Sequence, residues 1–269
     1  MNRKRSALIV VTNNGQLSTS GHRTGWSLPD VAFPYGVFED LGISVEFLSP
    51  CGGLAPMDTK YLEQWRHQPM CEEFLKDKMY DDNTIITNSP RNINPENFDI
   101  MYYAGGPGCL DDFPESIELR KIAANIYTNY VERSSNGSIL AANSHGIVGL
   151  NAILIKDFTN SQREYVGLLE DRKVACISPK DEDQLLCGGT QQYFGGYIKD
   201  KLAAVRFITK ENLETPNVVK DGRIITGQNS MSATAVALEA ASLVLGRSID
   251  KLKAILGIDD DDKTQSTNE

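Results

Sequence analysis

The sequence predicts an α/β fold: an open, doubly wound, mostly parallel sheet with helices on both faces, plus a small helical insertion. Three observations predict it. Short apolar runs recur along the chain, and stretches of helical periodicity separate them. The segment Ser138-Ile139-Leu140-Ala141-Ala142-Asn143-Ser144-His145-Gly146 then leads from an apolar strand through a small polar corner into a helix. Parallel strands covered by crossover helices read as continuous apolar runs, and ligands of such sheets bind beyond the carboxyl ends of the strands.

The predicted buried strands are Ala7 to Thr12, Val45 to Leu48, Ile100 to Ala104, Ile139 to Ala142 and Val174 to Ile177. Ser116 to Val131 carries Ile117, Ile122, Ile126 and Tyr130 at helical spacing. Val218 to Thr226 reads as a hairpin turned by Asp221-Gly222, since this pair tolerates positive φ. Met231 to Leu245 is an Ala-rich helix ended by Gly246. Residues 59–94 are polar and irregular, a helical insertion or lid. Residues 1–257 are thus expected to form one domain, and residues 258–269 an acidic, disordered tail.

Composition excludes several function classes. A net charge of −9 and a pI near 5.0 leave no clustered basic face for nucleic acid. No apolar stretch reaches the roughly 18 residues of a membrane span, and the N-terminus lacks a signal-peptide core, so a cytoplasmic protein without a membrane partner is expected. The five cysteines are odd in number and widely spaced, which favours reduced thiols. Three scattered histidines predict no metal site.

Four segments carry candidate chemistry. At the corner, Ser144 fits a nucleophile elbow, a strained strand-to-helix turn that lifts a hydroxyl above the sheet edge, with Ala141, Ala142 and Gly146 relieving the crowding. The usual Gly-x-Ser-x-Gly frame is absent, and a surface loop with a polar tip is the alternative. His145 beside it is a candidate base, or a partly buried imidazole packing on the helix. Gly105-Gly106-Pro107-Gly108 follows a strand. Its backbone around Gly106, Pro107 and Gly108, with the His145 N–H, would form an oxyanion hole, unless the glycines only make a tight turn. No Lys-Ser/Thr follows, so it is not a phosphate loop. Asp30, entered through Gly25-Trp26-Ser27-Leu28-Pro29, is either a site carboxylate or an acid favoured by the helix dipole. Ser178-Pro179-Lys180-Asp181-Glu182-Asp183 offers a carboxylate to orient His145, or an acid-rich helix start.

Taken together, these segments resemble the DJ-1/PfpI (ThiJ/PfpI) superfamily, in particular its microbial glutathione-independent glyoxalases (glyoxalase III), also described as stress chaperones and deglycases. The resemblance runs from about Lys4 to Leu245. It includes Phe47-Leu48-Ser49-Pro50, Asp112-Phe113-Pro114, the elbow, and Asp221-Gly222-Arg223-Ile224-Ile225-Thr226-Gly227-Gln228-Asn229. It implies a flavodoxin-like, class I glutamine amidotransferase-like fold, a homodimer, no cofactor, and a small-molecule carbonyl or acyl substrate. In that branch the elbow reads Ala-x-Cys-His-Gly with a cysteine nucleophile, where this chain has Ser144. The family's proton-shuttling glutamate is here Asp30, and the histidine of its Gly-His-Gly turn is Pro107. His145 is kept, and Glu182 falls at the position of the triad acid, with Asp181 as fallback.

The function so implied is conversion of a 2-oxoaldehyde to a 2-hydroxy acid. A serine hydroxyl is almost never ionised near neutral pH and an aspartate is one methylene short, so weakened or altered activity is expected. A stress-response, chaperone-like pseudoenzyme and a Ser144-His145-Glu182 hydrolase of small acyl compounds are the alternatives.

Overall fold

A computed structural model describes residues 4–128, 137–156, 164–178 and 205–258. In chain order its elements begin with β1 (Ser6–Val10), α1 (Leu28–Asp40), β2 (Ser44–Leu48), β3 (Gly53–Pro56), α2 (Thr59–Trp65), α3 (Pro69–Lys78) and β4 (Thr84–Thr87). Next come β5 (Ile100–Tyr103), α4 (Cys109–Asp112), α5 (Ile117–Thr128), β6 (Ile139–Asn143), α6 (Ile147–Asn151), β7 (Leu154–Lys156) and β8 (Tyr165–Gly167). The last are β9 (Lys173–Val174), β10 (Arg206–Phe207), β11 (Val218–Asp221), β12 (Ile224–Gly227), α7 (Ala233–Leu245) and α8 (Ile249–Leu256).

Six strands form the central sheet in the order β11-β12-β6-β5-β1-β2. All neighbours are parallel except the β11–β12 hairpin at one edge. The sheet is apolar on both faces because successive side chains alternate between two cores. Ala7, Ile9, Tyr102, Ile139, Ala141 and Ile225 enter one core with α1, α3, α7 and α8. Leu8, Val10, Tyr103, Leu140, Ala142 and Ile224 enter the other with α4, α5 and α6. The fold is therefore the doubly wound α/β arrangement that the apolar runs predict, and four carboxyl strand ends (β1, β5, β6, β12) gather at one rim.

Within residues 59–94, α3 packs on α1 and buries Cys71 and Phe74. The Phe74 ring meets Trp26, Tyr35 and Phe47 edge-on, with centroids 6.1, 5.4 and 6.0 Å away. In α5 the buried residues are Leu119, Ile122, Ala123 and Ile126, whereas Ile117, expected on the apolar stripe, is 57% exposed at the helix start. Tyr130 and the acidic tail from residue 259 onward lie outside the described residues.

One strand expectation needs correction. Val174 to Ile177 does not join the central sheet. Only Lys173–Val174 is strand, and it pairs with Arg206–Phe207 in a separate two-stranded ribbon. Val174, Cys176 and Ile177 are nonetheless buried in the α5-side core. A short apolar run signals burial, but does not say which backbone will pair with it.

Candidate active site

The site is built where β6 ends. Ser144 has φ 53°, and it opens a 3₁₀ turn, Ser144–Gly146, that runs into α6. A non-glycine residue rarely adopts this left-handed conformation, and such residues cluster at functional sites. The corner closes because Gly146 lacks a side chain: a Cβ there would collide with the Tyr103 carbonyl oxygen. Ser144 Oγ lies 3.3 Å from His145 Nδ1, so hydroxyl and imidazole are in hydrogen-bond contact. Both residues are nearly enclosed, at 2% exposure each.

The next strand end supplies the floor. A Cβ on Gly105 would meet Asp30 Oδ2 and lie 2.8 Å from Ser144 Cβ, so the aspartate and the corner serine converge over this glycine. Gly106, at φ 118°, presses against Gly25, Trp26 and Ser27. The segment Gly25 to Ser27 is thereby held between two others. Ser27 N–H donates to Gly105 O (3.0 Å), Trp26 N–H to Pro56 O (3.0 Å) and Asp58 N–H to Trp26 O (3.0 Å). Pro107 has no amide hydrogen to offer an oxyanion. Gly108 backs onto Thr12 and Asn14. Of the glycine turn, Gly105 and Gly106 are thus the members at the corner.

Asp30 is completely buried in the first turn of α1. Burial raises its carboxyl pKa from 3.8 to about 6, partly offset by the Ser230 hydroxyl, the Asn143 side chain, the electrostatic influence of His145 and the Ser27 hydroxyl. None of these neighbours closes to full hydrogen-bond geometry on either carboxyl oxygen. Local sequence favours another arrangement. Ser27 is the N-cap and Asp30 lies three residues on, the spacing of a capping box. Yet the Ser27 side chain makes no cap hydrogen bond, and its N–H goes to Gly105. The pair is turned into the molecule instead of onto its own helix.

A second carboxylate stands nearby. Asp58 caps α2, accepting from Lys60 N–H (3.0 Å) and from Thr24 Oγ1 (3.3 Å), and burial raises its pKa. On the other side, Asn143 Nδ2 donates to Asn229 O (2.9 Å), and Asn229 holds the turn before α7 by accepting from Met231 N–H (3.1 Å) and donating to Leu213 O (3.0 Å). This lashing brings Ser230 to the site. Sequence reasoning missed Ser27, Asn143 and Ser230 as members. Asn229 carries a helix N-cap signal, but nothing local marks Ser230.

Ser144, His145, Asp30, Gly105 and Gly106 are therefore brought together, whereas Glu182 and Asp181 lie outside the described residues. Among the described residues no group of three His, Cys, Asp or Glu side chains is placed to hold a metal ion. No single helix among them is long and apolar enough to cross a membrane.

No family model matches the chain. A glutathione-independent glyoxalase of Schizosaccharomyces pombe is 24% identical over 245 residues, spanning 89% of this chain and 97% of the relative. The crystal structure of glyoxalase III from Candida albicans superposes with a TM-score of 0.71 at 22% identity, covering 89% of this chain and 97% of that one. Drosophila melanogaster DJ-1beta gives a TM-score of 0.60 at 15% identity, over 96% of this chain and 100% of that one. At these identities the superpositions speak for the fold, and the sequence similarity extends over nearly the full length of both chains. The chain is thus similar along nearly its whole length to glutathione-independent glyoxalases, and it shares its fold with glyoxalase III and with DJ-1beta.

Proposed function

We propose that the protein is a glyoxalase III-like enzyme of small reactive carbonyls, converting a 2-oxoaldehyde and water to a 2-hydroxy acid at the Ser144 corner. One observation carries this reading: a strained serine in contact with an imidazole converges over Gly105 with a buried carboxyl whose pKa burial raises to about 6. The near full-length similarity to proteins named glutathione-independent glyoxalases supports the substrate class.

The chemistry follows from these parts. His145 Nδ1 takes the Ser144 proton as Oγ adds to the aldehyde carbon, because an un-ionised hydroxyl needs a base in contact. The Gly106 N–H stabilises the resulting oxyanion. Removal of the proton from that carbon gives an enediol, and reprotonation at the neighbouring carbon leaves an ester on Ser144, with Asp30 as the carboxyl that accepts and returns the proton. Water cleaves the ester, releasing the 2-hydroxy acid and restoring Ser144. Glu182, with Asp181 as fallback, is assigned to orient His145. We place the enzyme in the cytoplasm as a homodimer. The free thiols of Cys51, Cys71 and Cys109 are compatible with that compartment. Light scattering near the 29.7 kDa of one chain would overturn the dimer.

The test is lactate formation from methylglyoxal, run beside a panel of small esters. Wild type should turn over slowly, Ser144→Ala not at all, and Ser144→Cys with Asp30→Glu about 100-fold faster, the scale on which an ångström of misplacement acts. Glu182→Gln should lower kcat. The Ser144–His145 contact also suits acyl hydrolysis, so ester cleavage abolished by Ser144→Ala without lactate formation would select that reading. Absence of both activities, with the double variant flat, would leave a non-catalytic binding or chaperone role.

A further inference from the structure

The strand β6 is apolar from Ile139 to Ala142 and then ends on an amide. Asn143 is 0% exposed, and its Oδ1 has no hydrogen-bond partner among the described residues. A buried polar atom left unpaired costs stability, and an apolar side chain would fill the place without that cost. What the amide adds is its donor. Asn143 Nδ2 donates to Asn229 O at 2.9 Å, a residue 86 positions further along the chain.

This bond acts where the backbone pairing runs out. β5 accompanies β6 only as far as the Tyr103–Ala142 pair, so at Asn143 the strand keeps a neighbour on one side alone, Gly227 of β12. The next residue is Ser144, at φ 53°. The acceptor is itself fixed. Asn229 O also accepts from Ser232 N–H (2.8 Å), and the Asn229 side chain spans Met231 N–H and Leu213 O at 3.1 and 3.0 Å. Gly227 makes room for the amide: its φ does not lie in the left-handed region that favours glycine, yet a Cβ there would collide with Asn143 Oδ1.

We propose that Asn143 is a positioning residue for the corner, which through Asn229 O holds the backbone at Ser144 so that Oγ stays in contact with His145 Nδ1. The inference rests on the Ser144 corner being the reacting site of the proposed function. Without the Asn143–Asn229 bond the strained residue relaxes toward ordinary backbone geometry, and the 3.3 Å contact opens.

The experiment reads that contact without substrate, so a corner inactive in turnover does not decide it. Ser144→Cys places a thiol beside His145, and a neighbouring imidazolium draws a thiol pKa below its ordinary value of about 8.5. Alkylation by iodoacetamide is followed across pH by mass spectrometry of the peptide carrying position 144, which separates it from the native cysteines. The rate midpoint for Ser144→Cys should lie below about 8.5. Adding Asn143→Leu should raise it by about one pH unit and slow alkylation at pH 7 about 10-fold, because the thiolate fraction falls in proportion. Adding Gly227→Ala, which displaces the amide instead of removing it, should do the same, and it decides the matter if Asn143→Leu does not fold. Leu252→Ala, a truncation in the buried core of α8, should lower Tm and leave the midpoint in place. The titratable groups at the corner, His145 and Asp30, are present in every variant, so a moved midpoint reports moved geometry. A midpoint at the ordinary thiol value in Ser144→Cys alone overturns the proposal. So does a folded Asn143→Leu, or in its place Gly227→Ala, that leaves the midpoint unmoved. An equal shift in Leu252→Ala overturns it too, since the effect would then be one of general stability.

Discussion

Ser144 is held at φ 53°, where a Cβ crowds the following carbonyl, and it is kept there by Gly146 beneath the Tyr103 carbonyl and by the β6 register. The strain belongs to the backbone, not to the hydroxyl. Ser144→Gly should therefore be more stable than Ser144→Ala by about 1 kcal/mol in urea unfolding, since both lose the hydroxyl but only glycine relieves the strain. Equal stabilities would mean that the corner stores none. Ser144, His145 and Asp30 were legible in the sequence because each sits at the end of an apolar run or at a helix start, where local pattern has a defined place in the fold. Ser230 was not. It reaches Asp30 only through the tertiary lashing of Asn143 to Asn229, and no window around residue 230 contains that information. Ser27 was hidden differently, since its spacing to Asp30 imitates an ordinary capping box that the folded molecule does not make.

Among the elements, the β5–α4 turn does the joining. Asp30 and Ser144 both close over the space that a Gly105 side chain would fill, and Gly106 leans on the entrance to α1. The sequence showed a glycine turn after a strand; what it packs against is a matter of three chain segments meeting. Gly105→Ala forces a methyl group into the Asp30 carboxyl, and overpacking of this kind costs about 1–3 kcal/mol. The expected outcome is that destabilisation together with loss of any Ser144-dependent activity. As a control, Gly222→Ala in the open β11–β12 turn should cost only its φ penalty of about 1 kcal/mol and leave activity intact. If Gly105→Ala were as mild as Gly222→Ala, the convergence of Asp30 and Ser144 over the turn would be wrong. Val174 to Ile177 shows the converse limit. Its burial was legible, but its pairing partner, Arg206–Phe207, lies about 30 residues on, and no periodicity encodes that choice.

At the scale of the molecule, two buried carboxyls, Asp30 and Asp112, are raised by burial from 3.8 to about 6. Asp112 accepts from Thr12 Oγ1 and Asn13 N–H, both at 2.8 Å, and so fastens the loop after β1 to α4 beside the glycine turn. Asp58 is raised as well. A carboxyl whose folded-state pKa exceeds its unfolded value binds more protons folded than unfolded between the two, so its contribution to stability falls as pH rises through that window. The protein should therefore lose stability between about pH 4 and pH 6, and keep the deficit at neutral pH. For Asp30 the shift of about two units corresponds to about 3 kcal/mol, an upper bound on what Asp30→Asn can recover at pH 7.5. Urea unfolding across pH should show that gain shrinking to nothing near pH 4, with a residual slope that Asp112→Asn then removes. Wild type and Asp30→Asn running parallel at every pH would show that Asp30 titrates alike in folded and unfolded chains. If the gain appears, the neutral-pH fold carries a destabilising acid at its centre, and the doubly wound core on either side of the sheet is what allows that acid to remain where the site needs it.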